Sequence, residues 1–134
     1  MTVTLPMLES HPGIAEIDRV VLADTIDELV ACAEACTACA DACLSEPDVA
    51  ELTECIRTDL DCADICATTA RVLSRHAAGE IEVPQALLEA CIVACRVCGD
   101  ECARHAEMHE HCRICTEACR SCEEACGRLL NTLG

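Results

Sequence analysis

Cys32, Cys36, Cys39 and Cys43 recur at steps of four, three and four residues, and three more runs in the chain repeat the pattern. The second run holds Cys55, Cys62 and Cys66, the third Cys91, Cys95, Cys98 and Cys102, and the fourth Cys112, Cys115, Cys119, Cys122 and Cys126. A free cysteine can serve as a small buried hydrophobe, but sixteen of them at core spacing exceed any packing need. Disulfides are disfavoured within a run, because neighbours on one helical face have nearly parallel Cα–Cβ vectors, whereas a bridge needs a dihedral near ~90°. Interhelical bridges form a second alternative. The remaining chemistry is metal binding by thiolates.

Charge separates the metals. Four tetrahedral Zn²⁺ ions would supply about +8 against sixteen thiolates, leaving about −8 in a largely apolar core. A monovalent soft ion that replaces one thiol proton leaves the core neutral, and thiolates are the ligands that select Cu(I). Side chains three or four residues apart on a helix stand ~5–6 Å from one another at Cβ, so rotamers can bring two sulfurs onto one ion of low coordination number.

These residues require helices to position them. Steps of three and four line one helical face, while Glu, Asp, Arg and Thr occupy the others, and a strand period would scatter the thiols over both faces. Alanine at positions 31, 33, 35, 38, 40 and 42 raises helix propensity in the first run and permits close interhelical approach. Breaks are expected at Ser45-Glu46-Pro47-Asp48, at residues 78–84, and around His109. Connections this short force antiparallel neighbours, so the expected fold is all-α: an up-down-up-down antiparallel four-helix bundle with a Cys-lined core. It spans residues 24–134, with residues 1–23 as a tail or short extra helix laid on it. Threading the runs in equal register gives the layers Cys32/Cys66/Cys91/Cys126, Cys36/Cys62/Cys95/Cys122, Cys39/Asp59/Cys98/Cys119 and Cys43/Cys55/Cys102/Cys115.

Asp59 takes the core slot between Cys55 and Cys62. It is either on a solvated face through a slight rotation of the helix, or an oxygen ligand or histidine partner in the core. The two ends of the bundle differ. Continuing the stripes past the thiols reaches Leu29, Leu73, Leu88 and Leu129 at one end, which reads as a plug. At the other end it reaches His105, Met108, His109 and His111, beside Cys43, Cys55 and Cys112. Imidazole and thioether bind Cu(I) without adding negative charge and suit transient capture, so this end reads as an entry for metal, with His105 foremost because it lies on the cysteine stripe itself. The bland alternative is that these histidines complement a helix dipole. His11 and His76 are assigned no role.

Composition excludes several classes. A formal charge of −16 and a pI near 4.4 argue against a phosphate-binding surface, hence against nucleic acid and anionic lipid as partners. The chain has no Phe, Trp or Tyr, so core volume comes from aliphatic residues and cysteine. The N-terminal stretch lacks the basic and apolar regions of a secretory signal and no segment reaches membrane-span length, so a cytosolic location is expected, where thiols stay reduced. No activated dyad is evident, and uniform stripes amid acidic residues argue against a redox enzyme, which needs a few differentiated cysteines of low pKa. A thiol redox protein, a buffer for another soft metal and an iron–sulfur protein are the alternatives.

From about Asp24 to the C-terminus, four helices bearing CxxxC and CxxC stripes resemble the cytosolic copper storage proteins, a family of cysteine-lined four-helix bundles. The resemblance implies a non-enzymatic store of many Cu(I) ions inside the bundle and a homotetramer. A copper chaperone is a candidate partner.

Overall fold

The computed structural model describes residues 2–13, 17–75 and 79–133, which form helices and no strand among the described residues. A short helix α1 (Thr4–Glu9) precedes four long ones: α2 (Arg19–Leu44), α3 (Thr53–Ser74), α4 (Glu82–Ala103) and α5 (Glu110–Thr132). One turn of 3-10 helix, Val49–Glu51, lies in the connection between α2 and α3. The long helices form a closed ring in which α2 packs on α3 and α5, and α4 on α3 and α5. This is the antiparallel four-helix bundle expected from the cysteine period and the short connections.

Helix starts and stops follow local chemistry. The Asp18 side chain accepts the backbone N–H groups of Val20 and Val21 at 2.8 and 3.2 Å, satisfying two of the donors that a helix start leaves free. α2 therefore begins at Arg19, upstream of Asp24, and its buried stripe runs from Leu22 through Ile26 and Leu29 into Cys32. At the other end of α2, Pro47 follows the Ser45 cap, as befits a residue that cannot continue a helix. Pro84 sits in the first turn of α4, where its missing N–H costs nothing. The segment 1–23 contains α1, which lies against α2: Leu8 is buried, and the Thr2 and Thr4 hydroxyls donate to the Asp27 carboxylate at 3.0 and 2.6 Å.

All sixteen cysteines are buried, none more than 1% exposed, in one continuous core with Leu29, Leu73, Leu88 and Leu129. The expected layers are correct within each helical hairpin and wrong between hairpins. Cys32 meets Cys66, Cys95 and Cys122, not Cys91 and Cys126; Cys39 meets Asp59, Cys102 and Cys115, not Cys98 and Cys119. The pairings Cys32/Cys66, Cys39/Asp59, Cys95/Cys122 and Cys98/Cys119 all survive, so α4 and α5 have moved together by about one turn relative to α2 and α3. The connections at 45–52, 75–81 and 104–109 are similar in length, so the offset reflects how the two hairpins interlock at their best packing and not the length of the passage between them. His76 lies outside the described residues.

Protonated thiols pack as small apolar groups, so the core is complete without metal. The reduced, metal-free chain should give a fully helical far-ultraviolet circular dichroism spectrum, and copper should change it little. A coil spectrum that turns helical on metal addition would contradict a preformed bundle.

Candidate metal centre

The helices place the thiols as a ladder along the bundle axis. Neighbouring sulfurs lie 3.5–4.0 Å apart, both along one helix, as in Cys62/Cys66 at 3.8 Å, and between helices, as in Cys55/Cys102 at 3.5 Å, Cys66/Cys95 at 3.7 Å and Cys36/Cys119 at 3.7 Å. All sixteen are free thiols. Their donor atoms gather into overlapping groups of four, each within 4.8 Å: Cys32, Cys66, Cys95 and Cys122; Cys32, Cys36, Cys62 and Cys119; Cys36, Cys98, Cys115 and Cys119. Because successive groups share a cysteine, the ladder has no wall between one candidate site and the next. Burial works against ionisation of every thiol and is the largest influence at Cys43, which is raised to about 12, whereas hydrogen bonds from neighbouring thiols pull Cys91 down to about 4 and Cys122 to about 6. An apolar core without cations disfavours unpaired thiolates, so the metal-free core is built of S–H groups sharing their protons.

Asp59 is fully buried and stands in the ladder. Its carboxyl lies 3.1 Å from the Cys98 sulfur, 3.3 Å from Cys115, 3.4 Å from Cys102 and 3.9 Å from Cys55. Desolvation, reinforced by the Cys98 sulfur, pushes it up to about 9, so it is a neutral acid at physiological pH. Of the two environments weighed for Asp59, the solvated face is excluded. It joins Cys39, Cys102 and Cys115 as a fourth donor in one group.

The end of the bundle where α2 passes to α3 and α4 to α5 carries the histidines, but not in the order that stripe extension suggests. His111 reaches the thiols: its Nδ1 lies 3.4 Å from the Cys39 sulfur and 3.6 Å from that of Cys112, and with Cys43 these form a four-donor group. Burial pushes the His111 ring down, but its contacts with Cys39 and Glu46 outweigh that and hold it above its ordinary value. His105, placed foremost from sequence, directs Nε2 to Glu101 at 3.0 Å. His109 caps α5, stacks on His111 at 5.3 Å, and lies 3.0 Å from both Glu46 and Asp48. Met108 is 74% exposed, well outside the core.

Sequence reasoning missed three participants. Glu46 lies 2.8 Å from His111 Nε2, Asp48 anchors His109, and the Thr69 hydroxyl accepts the Cys91 thiol at 3.1 Å near the far end of the ladder. Glu46 and Asp48 had one available signal: the break they occupy falls at the same end of an up-down bundle as the turn around His109.

Known proteins resemble this chain in sequence and fold. The chain is similar to the copper storage protein Ccsp from Streptomyces lividans, in a structure loaded with 10 copper equivalents, at 59% identity and a TM-score of 0.93, covering 96% of this chain and 98% of that one. It is similar to the Cu(I)-bound copper storage protein BsCsp3 at 32% identity and a TM-score of 0.73, covering 81% and 97% of the two chains. An uncharacterized cysteine-rich protein of Bacillus subtilis (strain 168), YhjQ, is 36% identical over 93 residues, 69% of this chain and 81% of that protein. The family model described as copper storage protein matches residues 19–131, the whole four-helix ladder from the first residue of α2 to the last turn of α5, and the chain belongs to that family.

Proposed function

We propose that this protein sequesters many Cu(I) ions on the thiolates that line its interior, as a non-enzymatic store. The observation that carries this is the ladder itself: sixteen buried free thiols, most with a neighbouring sulfur 3.5–4.0 Å away, gathered into four-donor groups that overlap through shared cysteines. Such a core suits a monovalent soft ion that enters as a thiol proton leaves, because the charge buried in the bundle does not change. Copper-loaded relatives of the same fold support the identity of the metal. Asp59 adds an oxygen donor to the sulfur ladder.

Entry is assigned to the end formed by Cys39, Cys43, Cys112 and His111, with His105, His109 and Met108 offering transient ligands at its rim. A cytosolic location suits free thiols, and one solved relative is described as cytosolic. Exposed Leu60, Val93 and Val97 support a homo-oligomer, for which the family resemblance implies a tetramer. A copper chaperone is the natural donor.

One experiment tests both storage and entry. Wild type and the H105A/H109A/H111A variant are mixed anaerobically with chelator-buffered Cu(I), uptake is followed by stopped flow, and copper is counted after desalting. Copper should travel with both proteins, with slower uptake by the variant and an end point lower by at most a few ions. Copper left with the chelator would overturn storage; an unchanged rate, or loss of most stored copper, would overturn entry at this end.

A further inference from the structure

The carboxylate of Glu46 is placed to do more than neutralise a nearby histidine. It belongs to the connection after α2, yet Oε2 lies 2.8 Å from His111 Nε2 and 3.0 Å from His109 Nδ1, both beyond the end of α4. On the far side of the same His111 ring, Nδ1 faces the sulfurs of Cys39 at 3.4 Å and Cys112 at 3.6 Å. The ring thus stands between one carboxylate and two thiols, with one nitrogen on each.

A neutral imidazole has a single N–H, and an ionised carboxylate can only accept. A carboxylate at Nε2 therefore draws the ring proton to that nitrogen, leaving the Nδ1 lone pair directed at the thiols. With the proton on Nδ1 instead, the lone pair that a metal needs is blocked. A carboxylate on the outer nitrogen of a ligating histidine fixes both tautomer and ring orientation, and its loss typically costs about 10–100-fold in affinity or activity.

We infer that Glu46 is a positioning residue for copper capture: it holds His111 as the Nε2–H tautomer and presents Nδ1 to an ion arriving at Cys39, Cys43 and Cys112. The inference rests on the entry assigned to His111 above. It makes the connection between α2 and α3 a working part of the mouth, although that connection contributes no ligand of its own.

The test uses the whole protein and four forms: wild type, Glu46→Ala, Glu46→Gln and His111→Ala. Glutamine keeps an acceptor oxygen at the same reach and loses the charge, so it separates positioning from electrostatic attraction. Chelator-buffered Cu(I) uptake is followed by stopped flow on the alkaline plateau of His111, where the ring is neutral in every form, and the His111 ring ¹⁵N shifts of the metal-free proteins are read at the same pH. Glu46→Ala should slow the first phase of uptake by about tenfold and shift the ring away from the pure Nε2–H tautomer. Glu46→Gln should stay within about twofold of wild type in rate and keep the tautomer, and all forms should reach similar copper contents. His111→Ala should be at least as slow as Glu46→Ala. Wild-type uptake by His111→Ala would sink the entry assignment together with this inference. Slow His111→Ala with fast Glu46→Ala would leave the entry standing and overturn the role of Glu46 alone. Equal slowing by Ala and Gln, or an unchanged tautomer in Glu46→Ala, would also overturn it.

Discussion

Anaerobic titration of the reduced protein with Cu(I) should load a number of ions comparable with its sixteen cysteines and release about one proton per ion. The number follows from what the core can tolerate. Before loading, an apolar core without cations disfavours unpaired thiolates, and protons are shared between neighbouring sulfurs such as Cys55/Cys102 at 3.5 Å and Cys122/Cys126 at 4.0 Å. Each Cu(I) that replaces a proton leaves the buried charge where it was, so late ions meet no greater electrostatic cost than early ones. A divalent ion in a closed four-thiolate site would instead leave about −2 per site, and four such sites would exhaust the ladder. Overlap between groups points the same way: Cys32 and Cys36 each belong to two groups, so sites bounded by separate cysteines would waste ligands. Copper counted after desalting, with proton release followed in weakly buffered solution, gives both quantities. Saturation after three or four ions, or a proton yield far from one per ion, would contradict the exchange described here.

Much of this arrangement was legible in the cysteine period. Steps of three and four make helices with thiols on one face, and short breaks make those helices antiparallel; no tertiary information is needed for either step. Pairings inside a hairpin, such as Cys95 with Cys122, were legible for the same reason. The register between hairpins was not, because it depends on how two preformed pairs interlock, and no local signal records that. The histidines show a different limit. Stripe extension favours His105 only if α4 continues to it, but α4 ends at Ala103, and beyond that point the helical period no longer says where a side chain faces. His111, in the first turn of α5 and next to Cys112, sits where the new helix already enters the core. Asp59 was legible as a misfit at a core slot, while its burial was decided by the four thiols around it. Glu46 could not be found from its own neighbourhood, since its partner His111 is distant in sequence and only the fold brings them together.

The metal-free protein should lose stability as pH rises from about 5 to about 8, and Asp59→Asn should remove much of that loss. Asp59 has an ordinary value of 3.8 and is pushed up to about 9 in the folded protein, first by desolvation and then by the thiols beside it. Folding therefore takes up a proton throughout this window: the folded carboxyl is protonated while the unfolded one is ionised. The contribution of a group raised in this way is fully present below its unfolded value and is lost as pH climbs towards its folded value, at a limiting slope of about 1.4 kcal/mol per pH unit. His111 is also raised and has the same sign, but it is retained in both proteins, so the difference between them isolates the carboxyl. Asp48 and Glu110 are lowered, so their shares are already established at the acidic end of the window and do not vary across it. Asparagine keeps an oxygen that can accept the thiols of Cys98 and Cys115 but cannot ionise. Thermal unfolding of both reduced, metal-free proteins checks the prediction: wild type should fall in Tm by at least about 5 °C more than the variant between the two pH values. The variant's relative stability should accordingly improve as the solution becomes more alkaline. Parallel Tm profiles would show that the Asp59 carboxyl is not held neutral by the core, and would return its negative charge to the thiol ladder before any metal arrives.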